Sequence, residues 1–173
     1  MNTTASVIAV CKKSEPGIPK LQADSILLLE DLGVEGDYHA GKFVRHRYLA
    51  KKDPTRPNIR QVLIIDTTIL SYLSGLGMDL QPGWMGENII LDGISVMNLS
   101  LGTRLEIGEA LVEIAEIRNP CYQLDDMQVG VLEAVKSSGP SPDKRNAGML
   151  ARVLRGGKVQ PADLVSIKSK PDG

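Results

Sequence analysis

Residue types able to do covalent or metal chemistry are scarce in this chain, which has two cysteines and two histidines in 173 residues. Cys121 has the more informative setting, closing the run Arg118-Asn119-Pro120-Cys121 after a predicted strand. Asn119 can cap a helix and Pro120 suits the first helical position. The spacing therefore predicts Cys121 in the first turn of a short helix, at the positive end of its dipole. With Arg118 close in sequence, both effects stabilise a thiolate, the form that attacks sulfur and binds soft metals. The competing reading is a small buried hydrophobe, the commonest fate of a free cysteine, and the local sequence leaves both open. Cys11 lies inside an apolar strand without such neighbours and reads as structural. Two cysteines make no disulfide framework and lack metal-finger spacing, so free thiols and a cytoplasmic location are expected.

His39 sits in the run Gly36-Asp37-Tyr38-His39-Ala40-Gly41-Lys42-Phe43, with His46 seven residues on. The run approaches the nucleotide-binding pattern GxxxxGK[ST]. It fails at Phe43, where a hydroxyl must meet Mg²⁺, and no helix pattern follows Lys42. The nucleotide-hydrolase reading is rejected, although the glycines still permit backbone N–H groups to face an anion. A structural hydrogen-bonding role for His39 stands slightly ahead of catalysis. Without an HxH, HExxH or Cys/His cluster no zinc site is expected, and without a GxSxG elbow a hydrolase reading weakens. Pro82 to Ile89 holds the only Trp, and Glu87 and Asn88 begin a strand just after a tight turn, where side chains can be aimed into a pocket. Taken alone, that segment is a loop with a packed Trp.

Twenty basic and 21 acidic residues leave a net charge of −1, which argues against a nucleic-acid or acidic-membrane binder. The balance conceals segregation. Lys42 to Arg60 carries seven basic residues and one acid, a net of +6; Gln61 to Val135 carries −9; Lys136 to Lys158 carries +5. A charge run is usually a solvated loop, but two basic segments around an acidic middle also suit a pocket for a compact anion such as a phosphate.

The elements that must position these residues are mostly strands. Apolar runs are short, with four residues each at Ile26 to Leu29 and Val62 to Ile65, while a membrane span needs about 20; the N-terminus shows no signal peptide. Thr4 to Lys12, Ser25 to Glu30, Gln61 to Ile65, Asn88 to Leu91, Thr103 to Ile107, Leu111 to Arg118, Met149 to Leu154 and Leu164 to Lys168 suit strands. Gly108-Glu109 makes a tight hairpin, and the last two strands lie around a Gly156-Gly157 turn. Asp66 caps a helix running to about Leu76, and Val129 to Ser137 suits a second. Gly33 to Asn58 reads as one large loop and Ser138 to Asn146 as a turn-rich one. The pattern predicts a mainly β, single-domain barrel or sandwich with minor helical decoration. Aromatic residues are only 3%, so the core must come from Ile, Leu, Val and Met.

Taken in order, these segments resemble the MOSC domain family, named for the C-terminal domain of molybdenum cofactor sulfurases. The matching pieces are Gly33 to Gly41, Arg60-Gln61-Val62, Pro82 to Ile89, Leu101-Gly102, Gly108, Pro120-Cys121, Gly148 to Leu154 and Gly156-Gly157, covering about residues 5–168. The resemblance implies a single MOSC-type β-barrel with a few short helices. It also implies binding of the molybdenum cofactor, a phosphate-bearing pterin dithiolene (molybdopterin). The family's cysteine falls on Cys121, which would ligate molybdenum or carry a persulfide. Gly36, Asp37, His39, Arg60, Glu87, Asn88, Arg118 and Arg152 would serve the cofactor site.

The chain reads as a stand-alone member without the pyridoxal-phosphate-dependent desulfurase part. Pyridoxal phosphate would therefore act only through a separate cysteine desulfurase partner. The implied functions are sulfur transfer to the cofactor or reduction of N-hydroxylated compounds with a redox partner protein. The alternative is a non-catalytic module holding a small phosphorylated ligand or a partner protein. No nucleic-acid or membrane partner is expected.

Overall fold

The structure, a computed structural model, describes residues 4–137, 139, 140 and 145–169. The chain begins with β1 (Ala5–Lys12), β2 (Leu21–Ala23), β3 (Ile26–Leu29) and the two-residue β4 (Gly33–Val34). An excursion holding α1 (Arg47–Lys52) precedes β5 (Val62–Asp66), α2 (Thr67–Gly75) and β6 (Ile89–Asp92). The hairpin of β7 (Arg104–Ile107) and β8 (Ala110–Ile117) leads to α3 (Gln123–Met127) and α4 (Val131–Ser137). The chain returns through β9 (Met149–Arg155), β10 (Gly157–Val159) and β11 (Leu164–Ser169).

Seven strands in the order β11-β7-β8-β9-β5-β6-β1 close into a barrel, because β1 pairs back onto β11 through Ala5↔Val165 and Ser6↔Leu164. β2 extends the other half of β1, while β10-β3-β4 form a small second sheet. Alternation along the strands decides which side chains enter the core. β8 buries Ala110, Val112 and Ile114 and leaves the residues between them partly exposed. β5 instead is buried at all five positions. It runs parallel to β6, and the crossover helix α2 packs Ile69 and Leu73 against one face of that pair, the other face being the barrel interior. As the composition requires, the buried hydrophobic residues among those described include no aromatic ring.

Asp66 caps α2 as its position predicts. One carboxylate oxygen accepts the backbone N–H of Thr68 (2.8 Å) and Ile69 (3.3 Å) together with the Thr68 hydroxyl. The other accepts the N–H of Val96 at 2.7 Å, tying the short 3-10 turn Val96–Asn98 to the same point.

The structure departs from the sequence expectations in definite ways. Gly33 to Asn58 is not one loop: it contains β4 and α1, and its outer part closes on itself where Phe43 bridges Pro57 and Asn58 N–H donates to the Lys42 carbonyl (3.0 Å). Helix α1 has no buried residue, so apolar periodicity could not reveal it. β9 and β11 do not flank a shared turn, because β10 intervenes and pairs with β3. Cys121 is not in a helical first turn: α3 starts at Gln123, and Tyr122, with no side-chain capping bond, takes the cap position foreseen for Asn119. Helix α4 begins at Val131 rather than Val129. Most of the Ser138 to Asn146 segment lies outside the described residues.

Asp66→Ala removes the cap and leaves the buried Val96 N–H without its acceptor. Urea unfolding should show a loss of roughly 2–4 kcal/mol, and a loss below about 1 kcal/mol would contradict the joint role assigned to this carboxylate.

Candidate functional site

The glycine-rich run foreseen as an anion loop is organised around a buried acid. Asp37 accepts the N–H of Lys13 and of His39, each at 3.1 Å, the Asn88 amide at 3.3 Å and the Lys20 ammonium at 3.0 Å. Burial alone would raise the Asp37 carboxyl. The His39 ring, with its Nδ1 at 3.7 Å, outweighs the other opposing groups, and together with the Lys20 ammonium and the Lys13 N–H it holds the group well below the ordinary carboxylate range. Lys20 is pulled down by its own burial and back up by Asp37. Gly83 makes this corner of the site compact. Its φ is +89°, a Cβ there would collide with the Lys20 carbonyl, and its own carbonyl accepts the Lys20 N–H at 2.9 Å.

Beside this group lies a cavity of about 350 Å³, within the range of small-molecule sites. Cys121, His39, Arg60, Asn88 and Arg118 line it, joined by Lys20, Arg45, His46, Arg47, Asn58 and Gln61. Five Lys or Arg side chains thus face the cavity, and among the described residues no Asp or Glu does. The acids stand behind the wall. Glu116 pairs with Arg60 at 2.6 Å, and Glu87 accepts the N–H of Gly83 (2.5 Å) and of Met85 (3.1 Å). Burial raises the Glu87 carboxyl against the pull of those N–H groups and of Arg118. The Arg118 guanidinium is lowered by its own burial and raised by Cys121 and Glu87; its Nη1 donates to the Ala147 carbonyl at 3.3 Å.

The two cysteines differ as the sequence suggests. Cys11 is fully buried in β1, and burial, aided by Glu87, pushes its thiol up to about 12. Cys121 is half-buried on the cavity wall, with its sulfur 3.7 Å from the Gln123 amide oxygen. His46 presents a buried Nδ1 with no hydrogen-bond partner, and its imidazole is lowered by burial and by Arg60, His39 and Arg118.

The other sequence candidates fall elsewhere. Gly36, Asp37 and Glu87 support the wall without lining the cavity. Asn88 lines it, but its amide is occupied, accepting the Leu63 N–H (3.0 Å) and donating to the Cys11 carbonyl (3.1 Å). Arg152 stands apart, 3.5 Å from Glu113 and away from the cavity. Among the described residues the +5 segment adds no charged side chain to the lining; the first basic segment, Lys20 and Arg118 supply it. Sequence reading missed Lys20, Arg45, His46 and Arg47. Lys20 carried no local signal, whereas the other three lie in the +6 run.

Two outcomes follow from this geometry. Because Asp37 is depressed in the folded state, its contribution is present above the unfolded carboxylate value and is lost as pH falls toward the folded one. The urea midpoint of the wild type should therefore fall more steeply than that of Asp37→Asn between about pH 5 and pH 2.5, and parallel curves would remove Asp37 from this role. Iodoacetamide at mildly alkaline pH should alkylate Cys121 in the native protein and spare Cys11, as read by peptide mass spectrometry; equal labelling of both would contradict the assigned environments.

The MOSC domain profile matches residues 37–166. Protein YiiM of Escherichia coli is 27% identical over 94% of this chain and 70% of its own length. YflK of Bacillus subtilis, an uncharacterized protein, is 28% identical over 92% of this chain and 66% of its own length. Among solved structures, the YUAD protein of Bacillus subtilis superimposes with a TM-score of 0.76 at 18% identity, covering 94% of each chain. YiiM of Escherichia coli does so with a TM-score of 0.63 at 21% identity, covering 96% of this chain and 71% of YiiM. No helix among the described residues is long and apolar enough to cross a membrane. With its closed seven-strand barrel and a family match over most of its length, the chain belongs to the MOSC domain family, whose domains are associated with the molybdenum cofactor.

Proposed function

We infer that this protein binds the molybdenum cofactor in the cavity beside Cys121 and acts as a small reductase of N-hydroxylated compounds. The observation that carries this reading is the cavity's make-up: among the described residues five cationic side chains, no carboxylate and one half-buried thiol surround about 350 Å³. The residues fit the cofactor on two further counts. A pterin dithiolene brings its own sulfur ligands, so it asks the protein for few metal ligands, and the described residues contain no cluster of three or more His, Cys, Asp or Glu. Its phosphate and ring need hydrogen-bond donors, and His46 Nδ1 is a buried nitrogen still lacking a partner.

In this reading Cys121 would be the protein's ligand to molybdenum. Arg60, Arg118 and Lys20 would hold the phosphate, since guanidinium and ammonium groups in a partly desolvated wall bind an anion far better than exposed ones do. Glu116 keeps Arg60 in position, and Asp37 does the same for Lys20. When bound, the cofactor supplies two-electron redox chemistry at the metal. Electrons would come from a redox partner protein. The free thiols suit a cytoplasmic location.

One observation favours a second reading, sulfur transfer to the cofactor. Among the described residues the Cys121 sulfur has one hydrogen bond, the long one to Gln123, and sits beside the exposed Tyr122, within reach of a cysteine desulfurase carrying pyridoxal phosphate.

Elemental analysis of protein from a molybdenum-replete host tests the first reading and should find molybdenum together with a bound pterin; absence of both would sink it. Loss of groups that merely support a metal ligand costs about 10–100-fold, so Cys121→Ser should lower turnover by at least about 100-fold. Its unfolding midpoint should not move. If the thiol instead becomes persulfidated when the protein is incubated with a desulfurase and cysteine, the second reading replaces the first.

A further inference from the structure

Around the cavity mouth the chain exposes a set of cationic groups, of which only Arg45 and Arg47 also line the cavity. Lys42, Arg45, Arg47, Lys51, Lys52 and Arg56 are all exposed on the self-closed excursion that carries α1. Among the described residues none of them is in an ion pair, whereas Arg60, Arg104, Arg152, Arg155 and Lys168 each face a glutamate. Asp53, the one acid of the segment, accepts bonds from Thr55 instead. Helix α1 buries nothing. Crowding like charges on such a helix lowers its stability, so the arrangement calls for a reason outside the fold.

Aromatic placement gives a second, independent observation. The chain has six aromatic residues, and three of them, Phe43, Tyr48 and Tyr122, are exposed here, Tyr48 at 69% and Tyr122 at 68%. Tyr48 and Tyr122 also line the cavity. Exposed tyrosines among arginines, ringed by further charge, match the composition of protein-binding hot spots.

We propose that this strap is the docking surface for a small acidic electron-carrier protein of the flavin type, seated with its redox group at the cavity mouth. The proposal rests on the reductase reading. In the overall step the N–O bond of the substrate breaks and its nitrogen gains hydrogen, R–NHOH + FlH₂ → R–NH₂ + H₂O + Fl, so the flavin hydroquinone supplies both electrons and both protons. The charge pattern favours a folded acidic protein over a nucleic acid. The cationic residues are confined to the one self-closed excursion between residues 42 and 58, and residues 61–135 around the barrel carry −9, which would repel a polyanion extending beyond it. Unpaired surface charge of this kind accelerates encounter with an oppositely charged partner and weakens as salt rises.

The test uses a purified acidic flavodoxin and the triple variant K51E/K52E/R56E, whose positions do not line the cavity. Biolayer interferometry should show at least tenfold weaker flavodoxin binding for the variant, and a steep salt dependence in the wild type that is flattened in the variant. Thermal midpoints should coincide, because α1 has no buried residue to lose. Equal binding by the two proteins, or a wild-type preference for a short single-stranded DNA over flavodoxin, would overturn the docking proposal. Turnover of an N-hydroxylated substrate with dithionite needs no docking and separates the two levels. The variant should match the wild type with dithionite and fall at least tenfold behind with reduced flavodoxin. Failure of both proteins with dithionite would defeat the reductase reading, while the binding measurement still decides the docking surface.

Discussion

Asp37 is the point at which most of the site's architecture meets. A carboxylate with almost no access to water is costly to bury unless every lone pair finds a donor. Here the donors come from four separate stretches of chain: the residue following β1, the segment before β2, the glycine-rich loop and the start of β6. None can move far without leaving charge uncompensated in a low-dielectric setting. The Lys20 ammonium is thereby fixed in the cavity wall, His39 is held at the loop's turn, and the Asn88 amide is locked between β1 and β5. The barrel supplies a rigid frame, and this one carboxylate joins the irregular segments to it.

The second organising feature is a division of charge between the two sides of the cavity wall. Cations face inward, and Asp37, Glu87 and Glu116, which orient or compensate several of them, stand behind. Such layering keeps each cation in place without neutralising the space in front of it. An anion entering the cavity meets donors already aimed and partly stripped of water, so little reorganisation remains to be done on binding.

Much of the barrel was legible because its signals are local. Gln61 to Ile65 reads as a strand, Asp66 as a helix cap, Gly108-Glu109 as a hairpin, and all three are present. Cys121 and Arg60, singled out from the resemblance and from the charge pattern, both lie in the cavity lining. What escaped depended on distant contacts. Lys20 looks like any surface lysine until Asp37, 17 residues away, takes it inside. Helix α1 has no apolar face to announce it. Helix α3 starts two residues past Cys121, because propensity at Asn119 and Pro120 is a weak force beside the Arg118 N–H bond to Gly148 and the packing of Leu124. Arg152 belonged to a matching motif, yet strand alternation sends its side chain toward Glu113 on β8.

The neck of the 42–58 excursion has a consequence for how such a protein changes over generations. Phe43 and Pro57 meet there, Val44 N–H donates to the Arg56 carbonyl, and Asn58 donates its amide to the carbonyls of His39 and Gly41. Whatever lies beyond that clasp touches the barrel only lightly. Lengthening or shortening it costs little, because loop entropy grows slowly with length once the ends are held. Sequence drift can therefore rewrite the rim of the cavity while the clasp and the barrel stay as they are. One scaffold can then serve lineages that meet different neighbours at the same opening.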